Sequence, residues 1–270
     1  KRAILVFIGD GEIGEDQADH KDIINRQRLF DKETGVILHT HFSALGHDCH
    51  ALDLSGHGLS EGRDAPDEFG IDEFADDLRQ LIAGLPDDAV LIGHSMGCAV
   101  IERVLERTAA RAAILMAPVP PTGTQGSIMR LALKHPELFT EIARISQGKL
   151  GPNSLSLMRD VYFSPVTEPE ELLEFAHLIQ PESERAISDM LMLGTRLHRA
   201  RARLPVLVIG GQCDAVFPPS AIAFTAVRWH APHQRIPNCG HMLMLEHQWR
   251  TVADAITHWL ASACHRQANA

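Results

Sequence analysis

The 270-residue chain lacks the features of several large protein classes. No run of apolar residues approaches the length of a transmembrane helix, and Ala3–Ile8, the apolar run near the start, is too short for a signal-peptide core. Lys and Arg total 25 against 35 Asp and Glu, which gives a formal net charge of −10. Binding to nucleic acid or to an anionic membrane requires clustered positive charge. The sequence therefore predicts no membrane span and no nucleic-acid partner.

Cysteine is sparse, and no metal-binding pattern is present. The five cysteines are an odd number without close pairs: Cys49, Cys98, Cys213, Cys239 and Cys264. This spacing favours reduced thiols in a soluble, cytoplasmic protein over a disulfide framework. The 16 histidines form neither an H-x-x-x-H pair nor a cluster with cysteine. We therefore expect no metal site and no cofactor.

Short apolar runs alternate with stretches of helical periodicity. The candidate strands are Ala3–Ile8, Cys49–Leu54, Ala89–Ile92, Ala112–Met116, Pro205–Ile209 and Gln234–Ile236. Continuous apolar runs are typical of strands that are covered on both faces. Helical spacing of apolar residues is found in 38–45, 71–85 and 252–260. The pattern predicts an α/β fold with a doubly wound, mostly parallel sheet.

One segment interrupts this alternation. Residues 119–203 contain no buried-strand pattern, and they begin with a loop rich in proline and glycine. We predict a helical cap subdomain at 119–203, inserted into a core formed by 1–118 and 204–270. Ordinary crossover helices are the alternative, but a βαβ crossover needs far fewer residues.

The stretch Gly93-His94-Ser95-Met96-Gly97 follows an apolar strand and precedes an apolar helix-like run. It matches G-x-S-x-G, a pattern in which small flanking residues permit a tight strand-to-helix turn. Such a turn exposes the serine hydroxyl above the sheet edge and directs helix N-terminal amides towards the same space. The pattern predicts Ser95 as a nucleophile, whereas a tight turn without chemistry is the alternative.

A serine nucleophile needs a base, and the base needs an acid that orients it. Asp214 lies just past the apolar strand PVLVIG, and His241 follows the next short strand. Both positions lie at the carboxyl ends of strands, where parallel sheets bind their substrates.

Four segments in this order resemble those of the α/β-hydrolase superfamily: LDLSGHGLSEG, GHSMG, GGQCDAVFPP and GHMLMLE. The chain is similar to the serine esterases and lipases of that superfamily that carry a helical cap. The resemblance implies that Ser95 is the nucleophile, that His241 is the general base and then acid, and that Asp214 orients His241. It implies a structural role for His57, in the SGHGLS loop. We expect His94 to pack beside the strand-to-helix turn that carries Ser95.

The region after the first strand departs from the family pattern. The family has a His-Gly pair there, followed by an amide that donates to the oxyanion, whereas this chain has the loop Gly9–Gly14 with no histidine. We expect the oxyanion hole to combine the amide of Met96 with that of Gly11 or Glu12. The polar segment 15–35 could be a surface excursion, a disordered loop or a second flap.

These observations predict a serine hydrolase for small-molecule esters or thioesters, acting through an acyl-enzyme. The apolar residues of 119–203 suggest a small to medium hydrophobic acyl group, and packing of the cap on the core is the alternative role for them: Leu131, Leu133, Leu138, Phe139, Leu155 and Leu157. The alternatives are hydrolysis of lactones, amides or C–C bonds, acyl transfer, and ligand binding without turnover. The natural substrate and the oligomeric state are left open.

Overall fold

The computed structural model describes residues 3–8, 36–58, 60–86, 88–179, 181–193 and 204–267. The loop Gly9–Gly14 and the polar segment 15–35 lie outside the described residues. The strands are β1 Ile4–Ile8, β2 Asp48–Leu52, β3 Val90–His94, β4 Ala112–Met116, β5 Val206–Gly211 and β6 His233–Ile236. The helices are α1 Val36–Ala44, α2 Ile71–Ala83, α3 Met96–Leu105, α4 Gln125–Lys134, α5 Leu138–Ile145, α6 Ser154–Tyr162, α7 Pro169–Leu178, α8 Glu184–Met192, α9 Pro219–Trp229 and α10 Trp249–Gln267.

The six strands form one parallel sheet in the order β2-β1-β3-β4-β5-β6. Every residue of β1, β3, β4 and β5 is buried, which confirms the predicted α/β fold and the strands read from continuous apolar runs. Among the described residues, the strands β2 and β6 form the two edges of the sheet and are partly exposed, because each pairs with one strand there.

Helices cover both faces of this sheet. The apolar sides of α2, α3 and α9 pack in one cluster with half of the strand residues. On the opposite face, α1 and α10 pack against the other half. The periodicity read from 71–85 and 252–260 therefore corresponds to buried helix faces. One detail was wrong: α1 ends at Ala44, so Leu45 lies past the helix and is 54% exposed.

The described residues between β4 and β5 form the helices α4 to α8. We call them the α4–α8 segment. Its described part, 119–179 and 181–193, contains helices and loops but no strand. The segment has small apolar clusters of its own, one of them built from Leu131, Leu138, Leu157 and Val161. The subdomain boundaries at 118 and 204 remain a prediction.

The strand order places β1 between β2 and β3. The chain therefore leaves β1 in one direction along the sheet and later continues from β3 in the other. In open α/β sheets, ligands bind in the crevice outside the carboxyl ends of the strands at such a switch point. The described helices include none that is long and apolar enough to cross a membrane.

Candidate active site

The turn between β3 and α3 needs glycine at both ends because other backbone lies very close. A Cβ at Gly93 would lie 2.8 Å from the carbonyl carbon of Gly97. A Cβ at Gly97 would overlap the carbonyl oxygen of Ile8, at the end of β1. The glycines of the G-x-S-x-G pattern thus allow α3 to begin directly against two central strands.

This close packing gives a stability prediction. We expect Gly97→Ala to lower the free energy of unfolding by about 1–3 kcal/mol, because the new methyl group overpacks a rigid backbone contact. Gly126→Ala, in α4, is the matched control, since a Cβ there meets nothing within 4 Å. It should raise stability by about 0.5–1 kcal/mol through helix propensity. Urea unfolding followed by circular dichroism measures both, and an equal response would contradict the packing argument.

Ser95 occupies the turn itself, with φ 50° and ψ −115°. A positive φ is costly for any residue with a side chain, and such strain is concentrated at functional sites. The amide of Ser95 donates to the carbonyl of Met116, which fixes the turn to β4. The side chain is partly exposed although its neighbours are buried. The strained turn therefore presents the hydroxyl at the surface of the sheet edge.

Asp214 lies in the loop that follows β5 and is almost fully buried. Its Oδ1 accepts a hydrogen bond of 2.8 Å from the amide of Phe217. Its Oδ2 lies 3.0 Å from Nδ1 of His241. Because an ionised carboxylate only accepts hydrogen bonds, Nδ1 carries the proton and Nε2 of the neutral ring is free to accept.

His241 connects the acid to the serine. Its Nε2 lies 3.1 Å from Oγ of Ser95, within reach for proton transfer. The structure therefore brings together the three side chains predicted from the sequence, in the order Asp214, His241, Ser95. The arrangement can deprotonate the hydroxyl as it attacks an electrophilic carbon, and it can return the proton to a leaving group.

His94, which directly precedes Ser95, makes a hydrogen bond in addition to its packing contacts. Its buried Nε2 donates a hydrogen bond of 2.9 Å to the backbone carbonyl of His241. Burial, and then the nearby His241 ring, lower the pKa of His94 to about 3, so the ring is neutral. His94 thus fixes the backbone of the base without adding a charge to the site.

The α4–α8 segment also holds the loop that carries His241. The carbonyl of Tyr162, at the end of α6, accepts hydrogen bonds from the amides of His241 and Met242, at 2.8 and 3.0 Å. A Cβ on Gly240 would lie 2.5 Å from the backbone of Phe163, so only glycine permits this approach. No sequence pattern indicates these contacts, because a backbone carbonyl can belong to any residue.

Arg130 of α4 makes a comparable contact with the acid loop. Its guanidinium donates to the carbonyls of Ala215 and Val216, at 2.9 and 2.8 Å, directly after Asp214. We expect Arg130→Met to lower kcat for an ester by a few-fold to about 10-fold, because the loop that carries Asp214 loses this restraint. Steady-state kinetics test this, with the exposed Lys134→Met on the same helix as control. Equal kcat values for the two variants would contradict the role of Arg130.

The predicted oxyanion donors are only partly described. Met96 is the first residue of α3, and amides in the first turn of a helix have no acceptor within that helix and carry partial positive charge. Gly11 and Glu12 lie outside the described residues, so their role stays a prediction.

His57 contacts its own loop and the residues just before α8. It is buried, its Nδ1 lies 3.2 Å from the carbonyl of Ser55, and its Nε2 lies 3.1 Å from Glu182, just before α8. Its ring packs edge-on against Phe74. These contacts suit a structural link between the core and the α4–α8 segment.

The six apolar residues that suggested a hydrophobic acyl group differ in their exposure. Leu131, Leu138 and Leu157 are buried, and the cluster they form includes Ala215 and Val216 of the acid loop. Leu133 and Phe139 are 82% and 46% exposed, whereas Leu155 is partly buried against another cluster of the same segment. Cys49, Cys98, Cys213 and Cys239 are free thiols. Among the described residues, no three His, Cys, Asp or Glu side chains form a group suited to a metal ion.

Comparisons with known proteins agree with this architecture. Among solved structures, a Mycobacterium tuberculosis protein provisionally named a non-heme bromoperoxidase superimposes with a TM-score of 0.70 at 21% identity, covering 97% of this chain and 93% of that chain. Polyneuridine aldehyde esterase gives 0.65 at 18% identity, covering 96% and 99%. A thermophilic esterase from Thermogutta terrifontis gives 0.63 at 19% identity, covering 97% and 90%. At these identities the likeness shows the fold.

Two sequence comparisons extend the structural ones. Methylesterase 2 of Arabidopsis thaliana is 41% identical over 56 residues, which are 20% of this chain and 21% of that protein. The match thus spans about a fifth of the curated relative. The family described as the alpha/beta hydrolase family matches residues 34–255, most of the chain. The chain therefore belongs to the α/β hydrolase family.

Proposed function

We propose that this protein is a serine hydrolase that cleaves carboxylic esters or thioesters of small to medium hydrophobic acyl groups. The observation that carries the proposal is the continuous hydrogen-bonded line from Asp214 through His241 to a partly exposed Ser95. Membership of the hydrolase family supports it, as do esterases among the structural neighbours and the partial match to a methylesterase.

The mechanism follows from the positions of these groups. Oγ of Ser95 attacks the carbonyl carbon while Nε2 of His241 takes its proton, and Asp214 stabilises the imidazolium that forms. The amide of Met96, with that of Gly11 or Glu12, holds the oxyanion. His241 then protonates the leaving alcohol or thiol, which departs and leaves an acyl-Ser95 ester. Water activated by His241 hydrolyses that ester and restores the serine.

Apolar groups beside the base support a hydrophobic substrate. The ring centroids of Phe217 and Tyr162 lie 5.4 and 6.3 Å from that of His241. The buried cluster of Leu131, Leu157 and Val161 adjoins the loop after Asp214. Apolar side chains around a site exclude water and favour an acyl chain over a charged group.

A fluorophosphonate probe tests the proposal, because it reacts only with an activated serine. We expect the wild-type protein to be labelled and the peptide that contains Ser95 to carry the adduct. A folded wild-type protein that stays unlabelled would favour a ligand-binding protein of the same fold. In the same experiment, p-nitrophenyl esters from acetate to palmitate report the preferred chain length, and turnover confined to the longest would contradict the proposed acyl size.

A further inference from the structure

Glu246 is a buried acidic residue that the mechanism above does not use. Its side chain is 2% exposed and accepts hydrogen bonds from backbone amides and from a hydroxyl. The amide of Gly240 donates to Oε1. The amide of Ser164 and the hydroxyl of Thr167 donate to Oε2, at 3.1 and 3.4 Å. An acceptor-only carboxylate suits this set of donors.

The donors come from two parts of the fold. Gly240 directly precedes His241, whereas Ser164 and Thr167 follow α6 in the α4–α8 segment. On the other side of Gly240, the carbonyl of Tyr162 accepts the amides of His241 and Met242. Three successive residues around the base are thus held to the α4–α8 segment. Gly240 is held through Glu246, and His241 and Met242 are held directly by Tyr162.

We propose that Glu246 is a positioning residue, which fixes the loop that carries His241 against the α4–α8 segment and so holds the ring between Asp214 and Ser95. The proposal rests on the proposed function, because its importance depends on His241 acting as the base. Glu246 itself touches neither the substrate nor the reacting atoms.

A role in folding alone accounts poorly for an acid at this position. Burial raises the pKa of Glu246, since removal from water disfavours the ionised form. A raised pKa in the folded protein means that ionisation costs stability as the pH rises past the ordinary range of a glutamate. Well-packed neutral residues would fill such a site at lower cost. The carboxylate is better explained by its acceptor geometry beside Gly240.

Glu246→Gln tests the proposal, because it keeps the shape and removes one acceptor. Glu102→Gln is the matched control: Glu102 lies in α3, accepts a hydrogen bond of 2.8 Å from Nε1 of Trp229, and burial raises its pKa to about 7. The substrate is p-nitrophenyl butyrate, and the assay temperature lies well below the unfolding midpoint of each variant. We expect E246Q to lower kcat by about 10- to 100-fold, with KM changed by less than about twofold. E102Q should retain the wild-type kcat.

A spectroscopic measurement separates positioning from stability. The Nδ1 proton between His241 and Asp214 gives a strongly downfield proton resonance, which we expect to shift or broaden in E246Q and to stay unchanged in E102Q. Wild-type kcat and resonance in a folded E246Q would overturn the proposal, and so would an equal loss in E102Q. If E246Q does not fold, Thr167→Val removes one donor to the same carboxylate. A lower kcat at unchanged KM then supports the proposal, and wild-type kcat overturns it.

The same measurements keep the two proposals apart. A wild-type protein inert to both the ester and the fluorophosphonate would reject the serine hydrolase, whereas the resonance would still report whether Glu246 positions the His241 ring. An active wild type with an unaffected E246Q would reject the role of Glu246 alone.

Discussion

Ser95→Ala is expected to lower kcat for p-nitrophenyl esters by on the order of 10⁴- to 10⁶-fold, because the variant lacks the hydroxyl on which the acyl-enzyme forms. The residual rate would come from oxyanion binding and substrate positioning. Fluorophosphonate labelling should disappear together with turnover. A folded S95A variant that keeps more than about a tenth of the activity would show that Ser95 is not the nucleophile.

Ser95→Gly provides the control for folding. The positive φ of Ser95 stores strain that glycine does not have, so this variant should be as inactive as S95A but more stable than the wild type by about 1 kcal/mol. Thermal unfolding measures the difference. Inactivity combined with raised stability would show that the Ser95 side chain lowers the stability of the turn and that its hydroxyl is required for activity.

His241→Ala is expected to cause a comparable loss, on the order of 10⁴- to 10⁶-fold in kcat. Without the imidazole, the hydroxyl of Ser95 loses the base that accepts its proton, since His241 Nε2 lies 3.1 Å from Oγ. Steady-state kinetics with p-nitrophenyl acetate measure the loss.

His57→Ala is the matched control, because it removes another buried histidine that lies in a recognisable loop. His57 contacts Ser55 and Glu182, so we expect its loss to lower stability but to leave most of the turnover in the folded fraction. Equal losses of turnover in the two variants would overturn the assignment of His241 as the base.

Much of the fold could be predicted because the sheet is parallel and buried. The runs in β1, β3, β4 and β5 are apolar throughout, since helices cover both faces of these strands. The end of α1 was harder to place, and Leu45 proved to be exposed. Apolar spacing continues past a helix end whenever the next residue happens to be apolar.

The candidate site was predictable only where its chemistry is written in short motifs. The G-x-S-x-G turn, the aspartate after β5 and the histidine after β6 each follow a strand end, so all three could be named. Arg130 and the carbonyl of Tyr162 carried no such signal, because their partners are backbone atoms 85 and 79 or more residues away in the chain. Glu246 is the last residue of the segment GHMLMLE, but no feature of the neighbouring sequence indicates that its carboxylate is buried.

Local order along the chain was therefore enough to specify the strands, the strained serine turn and the identity of the three polar groups, since these depend on neighbouring residues. The distances between those groups depend on the side-by-side positions of β3, β5 and β6 in one sheet. The support from Arg130, Tyr162 and Glu246 depends on how the α4–α8 segment packs over that sheet. Hydrogen bonds between residues far apart in sequence form only when packing brings them together, so the folded structure alone reveals them.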